Sequence, residues 1–406
     1  MSSATPCAGS SMAEHAPLHH PLLDVARWCA RAELDDTARA ALDACTATPL
    51  AWDALPPLLR AHGLTALAVR HLSHVRTRIP PPVWDTLSGQ SAEDQARALR
   101  MTAELLRIVD ALGAEGIAVL PYKGPLLGLV AYGDLAMRRS SDLDVLIHPA
   151  DMARAIAALA PLGYRNADRM SPAQAAWFLR ADGDVSVVHD DTGLLVELHA
   201  YATTRRLGPT PGFAELWERR KDLQVAGRRV PALDAHDQLL LLALHGTKHG
   251  WRKLEWLAGL ASLAARNPDA LERLIAAAPS GARALRLACA LSASLLSVEL
   301  PERVRHAVAA DAAANALAAQ VVTHMQQPED DPKRDDTFER LLFNWRAQDG
   351  TRARVRYAWR WGTWPSPEDW QQVRLPDALF PAYRLVRPIR LAWRFGPRAL
   401  ASIFAR

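Results

Sequence analysis

The stretch "RRSSDLDVLI", Arg138–Ile147, decides how the rest of the chain is read. Asp142 and Asp144 stand one residue apart among apolar neighbours. In a strand, side chains alternate, so both aspartates face one side about 6.6 Å apart along the backbone. Leu143, Val145 and Ile147 then face the other side and can enter a core. Two converging carboxylates repel, and both stay ionised only beside positive charge. A solvated turn would hold the pair at no cost. A half-buried strand needs a cation opposite, and magnesium is the natural partner of hard oxygen ligands. The plain alternatives are solvated edge positions, or an ion pair with Arg138 or Arg139.

The neighbouring stretches extend this pattern. Upstream, "GIAVLPYKG" is a short β-rich run ending in Lys123-Gly124, and Pro125 opens the helix-like "PLLGLVAY". A close backbone approach and a helix N-terminus at such a junction can bind phosphate. Downstream, "PADMARAIAALAPLGY" reads as a helix from Pro149 towards Gly163. "VSVVHDDTGLLVELHA" is two alternating runs around Asp190-Asp191-Thr192-Gly193, a hairpin. Its second run places Glu197 between Val196 and Leu198, a third acid in an otherwise apolar strand, with His199 on the same face. The order β-α-β-α-β-β over about 85 residues predicts a small α/β or α+β domain.

The whole chain has 406 residues, 50% hydrophobic and 23% charged, a composition ordinary for a folded protein of two or three domains. Ala, Leu and Arg abound, so helix should dominate. The expected organisation is a flexible leader over 1–20, an N-terminal helical region over 21–90, a core over 91–230 and a helical domain over 231–326. A linker with a short helix over 327–350 and a basic Arg/Trp-rich segment over 351–406 complete it. "PPP" at 80–82 is read as a break, and Ser91 with Asp94 as a capping box for a helix over 91–115. The fold class is therefore helix-rich α+β: a small α/β core with a mixed sheet, flanked by helical regions on both sides. No run of about 18 uncharged apolar residues argues for a membrane span, and the N-terminus lacks a signal peptide's basic start and apolar region. Cys7, Cys29, Cys45 and Cys289 lie far apart without CxxC spacing, which argues against a disulfide or zinc framework and fits a reducing cytoplasm. The net charge of +4 is uneven: residues 351–406 carry 11 Arg against 3 acids, a net of +8, which leaves −4 elsewhere.

Strand, KG turn, helix, DxD strand and later acid strand, in that order, resemble the polymerase-β-like nucleotidyltransferase superfamily. More closely, the chain resembles a family of bacterial nucleotidyltransferases. The resemblance rests on "W…LL..A..HGL..L" at Trp52–Leu67, "YKG" at 122–124, "R…DLDVLI" from Arg138, "LGY" at 162–164 and "VELH" at 196–199. It continues in "H…H.W..L.WL" from His245 to Leu257 and "RP.R" from Arg387 to Arg390, and so spans most of residues 50–400. It implies a nucleotidyltransferase core and transfer of an NMP group from an NTP, with ATP as the first guess. The acceptor would be a hydroxyl of a small molecule or peptide, with release of pyrophosphate. Two magnesium ions would bind Asp142, Asp144 and Glu197. Glu197 would hold the metal that activates the acceptor and take its proton. Lys123 and Gly124 would contact the triphosphate, and Arg138 would pair with phosphate.

Two departures stand out. The turn is KG-Pro instead of GG or GS, so the hydroxyl that commonly touches phosphate is missing and Lys123 would substitute. Family members often carry an Asp shortly after the "WL" pair, where this chain has Gly259. Both keep an alternative open: a catalytically weak nucleotide-binding or scaffold protein that retains the fold.

His245, Lys248 and His249 share one helix face. The HxxxH pair lacks the glutamate of a zinc protease motif, and core or capping roles are the plainer reading for each His. Should the helix flank the cleft, Lys248 and His249 would meet nucleotide or acceptor. Trp251 and Trp256 read as packing residues. The tail "YRLVRPIRLAWRFGPRALASIFAR" interleaves Arg with aromatics. Nucleic acid is disfavoured as its partner. The favoured reading has its Trp residues packed on the helical domain and its Arg in water. A weak contact of its end with an anionic membrane is kept beside this, with Trp393, Phe395 and Phe404 inserted.

Overall fold

The computed structural model describes residues 21–404 except 169, 278–279 and 327–336, with side chains described up to residue 396. The expected leader and polar linker lie outside the described residues. The chain opens with α1 (Pro21–Cys29), α2 (Asp36–Ala47), α3 (Leu55–Ala61), α4 (Thr65–Leu72) and α5 (Pro81–Ala114). Pro81 and Pro82 occupy the first turn of α5, where a missing N–H costs nothing. "PPP" thus starts a helix instead of breaking the chain. Ser91 and Asp94, expected to cap a helix, are buried inside α5, and Asp94 pairs with Arg139 at 3.2 Å.

The sheet comes next: β1 (Val119–Tyr122), α6 (Gly124–Tyr132), β2 (Asp142–Ile147), α7 (Met152–Leu159), β3 (Tyr164–Asn166), α8 (Pro172–Ala181), β4 (Asp184–His189) and β5 (Leu195–His199). Its order is β1-β2-β5-β4-β3. β2 and β5 run parallel in the centre, and the other neighbours are antiparallel. This is the expected mixed sheet and hairpin, with β3 and α8 added between α7 and β4. One face packs Leu143, Val145, Ile147, Val196 and Leu198 against Met101, Leu105, Ile108 and Leu112 of α5 and Met152 of α7. The other face is covered only in part, where Leu120, Tyr122 and Leu146 meet Phe213 and Leu216 of α9 (Phe213–Arg219). The rest of that face is open and carries the acids.

A two-stranded hairpin, β6 (Lys221–Val225) and β7 (Arg228–Ala232), was not expected. Its turn is Ala226-Gly227, both with positive φ (50° and 78°), a geometry usually announced by Asn-Gly. Helices then resume: α10 (Ala235–Lys248), α11 (Leu254–Arg266), α12 (Pro268–Ala277), α13 (Ala282–Leu296), α14 (Glu302–Ala309), α15 (Ala312–Gln326) and α16 (Thr337–Arg346). Leu42, Leu59, Leu72 and Leu87 share one continuous core with Leu257, Leu285 and Leu317. Both helical layers therefore pack on each other as well as on α6.

The basic segment is helical: α17 (Gly350–Thr363), α18 (Pro367–Gln372) and α19 (Tyr383–Phe404). It docks beside the sheet. Arg206 is bound twice by Asp182 (2.8 and 3.1 Å) and reaches the carbonyls of Trp364 (2.9 Å) and Pro365 (2.5 Å). Trp177 of α8 donates to Pro365 O at 3.1 Å. The expected split of Trp inside and Arg outside holds only in part. Trp370 is buried, but Trp359 and Trp393 are 67% and 88% exposed, and Arg387 is buried. Phe395, expected in a membrane, is buried and stacks on Phe338. The Phe404 side chain lies outside the described residues.

Candidate active site

The parallel pairing of β2 and β5 places Asp144 directly opposite Glu197, on the open face that alternation also assigns to Asp142. On β5, His199 follows Glu197 on this face. Its Nε2 lies 3.0 Å from Asp144 Oδ1 and 3.3 Å from Glu197 Oε2. Lys123 Nζ donates to the same Asp144 oxygen at 2.9 Å. Asp144 is thus paired with Lys123 and His199, and neither Arg138 nor Arg139 is its partner.

These contacts set the charges. Burial opposes ionisation of Asp144, yet Lys123 and His199 hold its carboxyl far below the usual range. Burial likewise opposes the Lys123 ammonium, but Asp144 keeps its pKa above the ordinary value. The hydrogen bond from His199 lowers Glu197. Asp142 goes the other way: burial, then Asp144 and Glu197, raise it. Among the described residues no donor reaches the Asp142 carboxylate. A half-buried acid with no hydrogen-bond donor of its own, beside two others, carries charge that Lys123 and Arg138 only partly offset and that a divalent cation fits. Asp144, Glu197 and His199 also offer ligand atoms all within 4.8 Å of one another.

The turn before α6 is conformationally special. Lys123 has φ 56° and ψ −141°, and Gly124 has φ 52°. A non-glycine residue there costs on the order of 1–3 kcal/mol, and its side chain is held by the ion pair to Asp144. Arg138 Nη1 donates to Gly124 O (3.2 Å) and Ser140 Oγ (2.8 Å), bracing the turn. Arg97 of α5 donates to the carbonyls of Ser140 (2.7 Å) and Ser141 (2.8 Å), fixing the loop that leads into β2.

The acids open into a cleft between the sheet and α10–α11, about 1310 Å³ with its open mouth included. Lys248 and His249 border it, as the sequence anticipated for a flanking helix, and so does His245. The rings of His245 and His249 lie 4.7 Å apart. Burial keeps both neutral: His245 falls well below its usual value and His249 is pushed down to about 3. The described residues bring no third metal ligand to this pair. Trp256 lines the cleft beside both rings, whereas Trp251 is fully buried. Gly259 lies elsewhere: a Cβ there would contact Leu127 and the Tyr132 hydroxyl, so this departure falls in the α6–α11 seam.

Asp184 escaped the sequence reading. It pairs with His199 across β4 and β5 and adds a fourth carboxylate to this face, raised by burial. Its signal was the alternation D-V-S-V-V-H, which puts Asp184 and Ser186 on the face of Glu197. Asp182, Asp184, Thr204, Lys248 and His249 also border a second chamber of about 950 Å³, its open mouth included, which shares these residues with the cleft and is walled by Phe178, Tyr357 and Trp361.

A family model described as "Uncharacterised nucleotidyltransferase" matches residues 48–321. No curated protein and no solved structure matches the chain.

Proposed function

The chain belongs to this uncharacterised nucleotidyltransferase family, and on that footing we propose that it moves an NMP group from an NTP to a hydroxyl of a small-molecule or peptide acceptor. The observation that supports this is the convergence of Asp142, Asp144 and Glu197 on one face, beside the positive-φ turn at Lys123-Gly124. The acceptor oxygen attacks the α-phosphorus. The bond from that phosphorus to the β-bridging oxygen breaks, pyrophosphate leaves, and the hydroxyl proton passes to Glu197. Glu197 suits this role because the hydrogen bond from His199 favours its ionised form and its side chain is 28% exposed, against 5% for Asp144. Magnesium, as two ions held by Asp142, Asp144 and Glu197, would supply Lewis-acid stabilisation of the attacking and leaving oxygens.

The residues divide the work by position. Gly124 and Leu126 at the start of α6 offer backbone N–H groups to the triphosphate, Pro125 having none and that of Leu127 being bonded to Lys123 O, and Arg138 holds the turn in shape. Lys123 moves its charge between Asp144 and phosphate. Lys248 and His249, at the junction of cleft and second chamber, meet the nucleotide or the acceptor. The acceptor enters through that chamber. Free thiols at Cys29, Cys45 and Cys289 agree with a cytoplasmic setting.

The test supplies each α-labelled NTP with magnesium and acceptor-bearing extracts, ATP first. Label transfer and pyrophosphate release are followed, and Asp144→Asn is run in parallel. Transfer that survives this substitution overturns the metal-site assignment. Magnesium–NTP binding without transfer favours the scaffold alternative, which the KG-Pro turn feeds. Absence of any magnesium–NTP binding overturns the nucleotide reading itself.

A further inference from the structure

Helix α19 presents two unlike faces. Its inner face is anchored: Arg387 donates to Ser366 Oγ (2.5 Å) and Asp369 Oδ2 (2.9 Å), and Arg390 to Asp369 Oδ1 (2.6 Å). The Tyr383 hydroxyl donates to Val373 O at 2.7 Å, and Phe395 stacks on Phe338. The outer face carries Leu385 and Ile389, each 71% exposed, and Trp393, 88% exposed. They are spaced i, i+4, i+8, and the exposed Pro388 and Ala392 fall between them. These three are a third of the nine large hydrophobics exposed among the described residues, gathered on one helix face. Exposed Arg384 and Arg394 lie about 100° around the helix beyond either edge of the stripe, and Arg384 also stacks on Trp177. The sequence of α19 contains no Asp or Glu, and the segment that holds it has a net charge of +8. No described helix is long and apolar enough to cross a membrane.

We propose that the outer face of α19 lies on an anionic lipid surface, with Leu385, Ile389 and Trp393 entering the boundary between headgroups and acyl chains. The choice of lipid rests on charge complementarity. A protein groove could receive the apolar stripe but would have to supply separate acids for a wholly basic rim. A lipid surface supplies anionic phosphates and an apolar interior at the right depth together, and Trp favours that boundary. The ion-paired inner face keeps the helix formed before contact, so docking needs no ordering step. This inference is independent of the nucleotidyl-transfer reading.

The experiment sediments the full chain with vesicles of neutral phosphatidylcholine, and with vesicles in which part of it is replaced by anionic phosphatidylglycerol. The variant carries Leu385→Gln, Ile389→Gln and Trp393→Gln; all three side chains are exposed, and an unchanged Tm verifies its fold. Binding to anionic vesicles only, reduced about 100-fold by the triple substitution, is expected. High salt or Arg394→Glu should weaken it about tenfold. Three results would overturn the proposal: no vesicle binding, equal binding to neutral vesicles, or equal binding by the triple variant. So would self-association through this face in light scattering with no vesicle binding, which would identify a second copy as the occupant.

Discussion

Replacing Lys123 with Met tests whether the protein itself supplies the counter-charge of Asp144. The two side chains are 13% and 5% exposed and 2.9 Å apart. Removing one partner of a buried pair costs about 3–5 kcal/mol, because the other charge is left uncompensated. His199 remains on the same oxygen at 3.0 Å, so the lower end, about 3 kcal/mol, is expected. Met keeps the side-chain volume, and its backbone has the same positive φ to bear. Thermal and urea unfolding are measured in EDTA and again in excess magnesium. In EDTA the variant should lose about 3 kcal/mol of stability. In magnesium the deficit should shrink, since a ligand at about 100 times its Kd stabilises by about 2.7 kcal/mol, and Lys123 no longer competes for Asp144. An equal deficit in both buffers would refute the view that the cation and Lys123 share this oxygen. No deficit at all would refute the buried pair.

Acid should destabilise the protein partly through His249. Its folded pKa of about 3 lies below the unfolded value of about 6.5. The unfolded chain therefore takes up the proton first, and this contribution is complete above pH 6.5 and lost as pH falls towards 3. At pH 5 the loss is about 1–2 kcal/mol, and His249→Gln should flatten the stability profile over that window; an unchanged profile would count against the neutral ring. Asp369 is fully buried between Arg387 and Arg390, so Asp369→Asn should cost about 3–5 kcal/mol locally. Hydrogen exchange across 350–396 should rise while the sheet stays protected, and unaltered exchange would show that this network does not hold α19.

Some of this structure was legible because its signal is local. Alternation in "DLDVLI" depends only on neighbouring residues, and it assigned both faces of β2. The Gly193 hairpin and the Pro125 helix start are equally local. The open face was harder. Glu197 could be singled out as an acid among apolar residues, but its pairing with Asp144 across 53 positions arises from a parallel contact that no short window contains. The sequence presents Lys123 as a phosphate contact, and its ion pair to Asp144 is visible only when the turn bends it over β2. In the sequence His199 is a same-face neighbour of Glu197, and its bridge from β5 to Asp144 on β2 is a tertiary contact. "PPP" misled because Pro is both a breaker and a good first residue of a helix, and the helix-forming residues after Pro82 decide between the two. The division of the basic tail into an anchored and an exposed face depends on Asp369, a single acid that charge counting overlooks.

Helix α5 has 34 residues, about 51 Å of rigid rod. Val83 and Leu87 near its start lie in the helical core, and Ile108 and Leu112 near its end lie beneath the sheet. Between them Arg97 grips the Ser140 and Ser141 carbonyls and Asp94 holds Arg139. It therefore behaves as an axle: a tilt of the helical layers against the sheet must swing the loop before Asp142 as one piece. The distant N-terminal layer and the loop before the acids are thus fastened to the same rod.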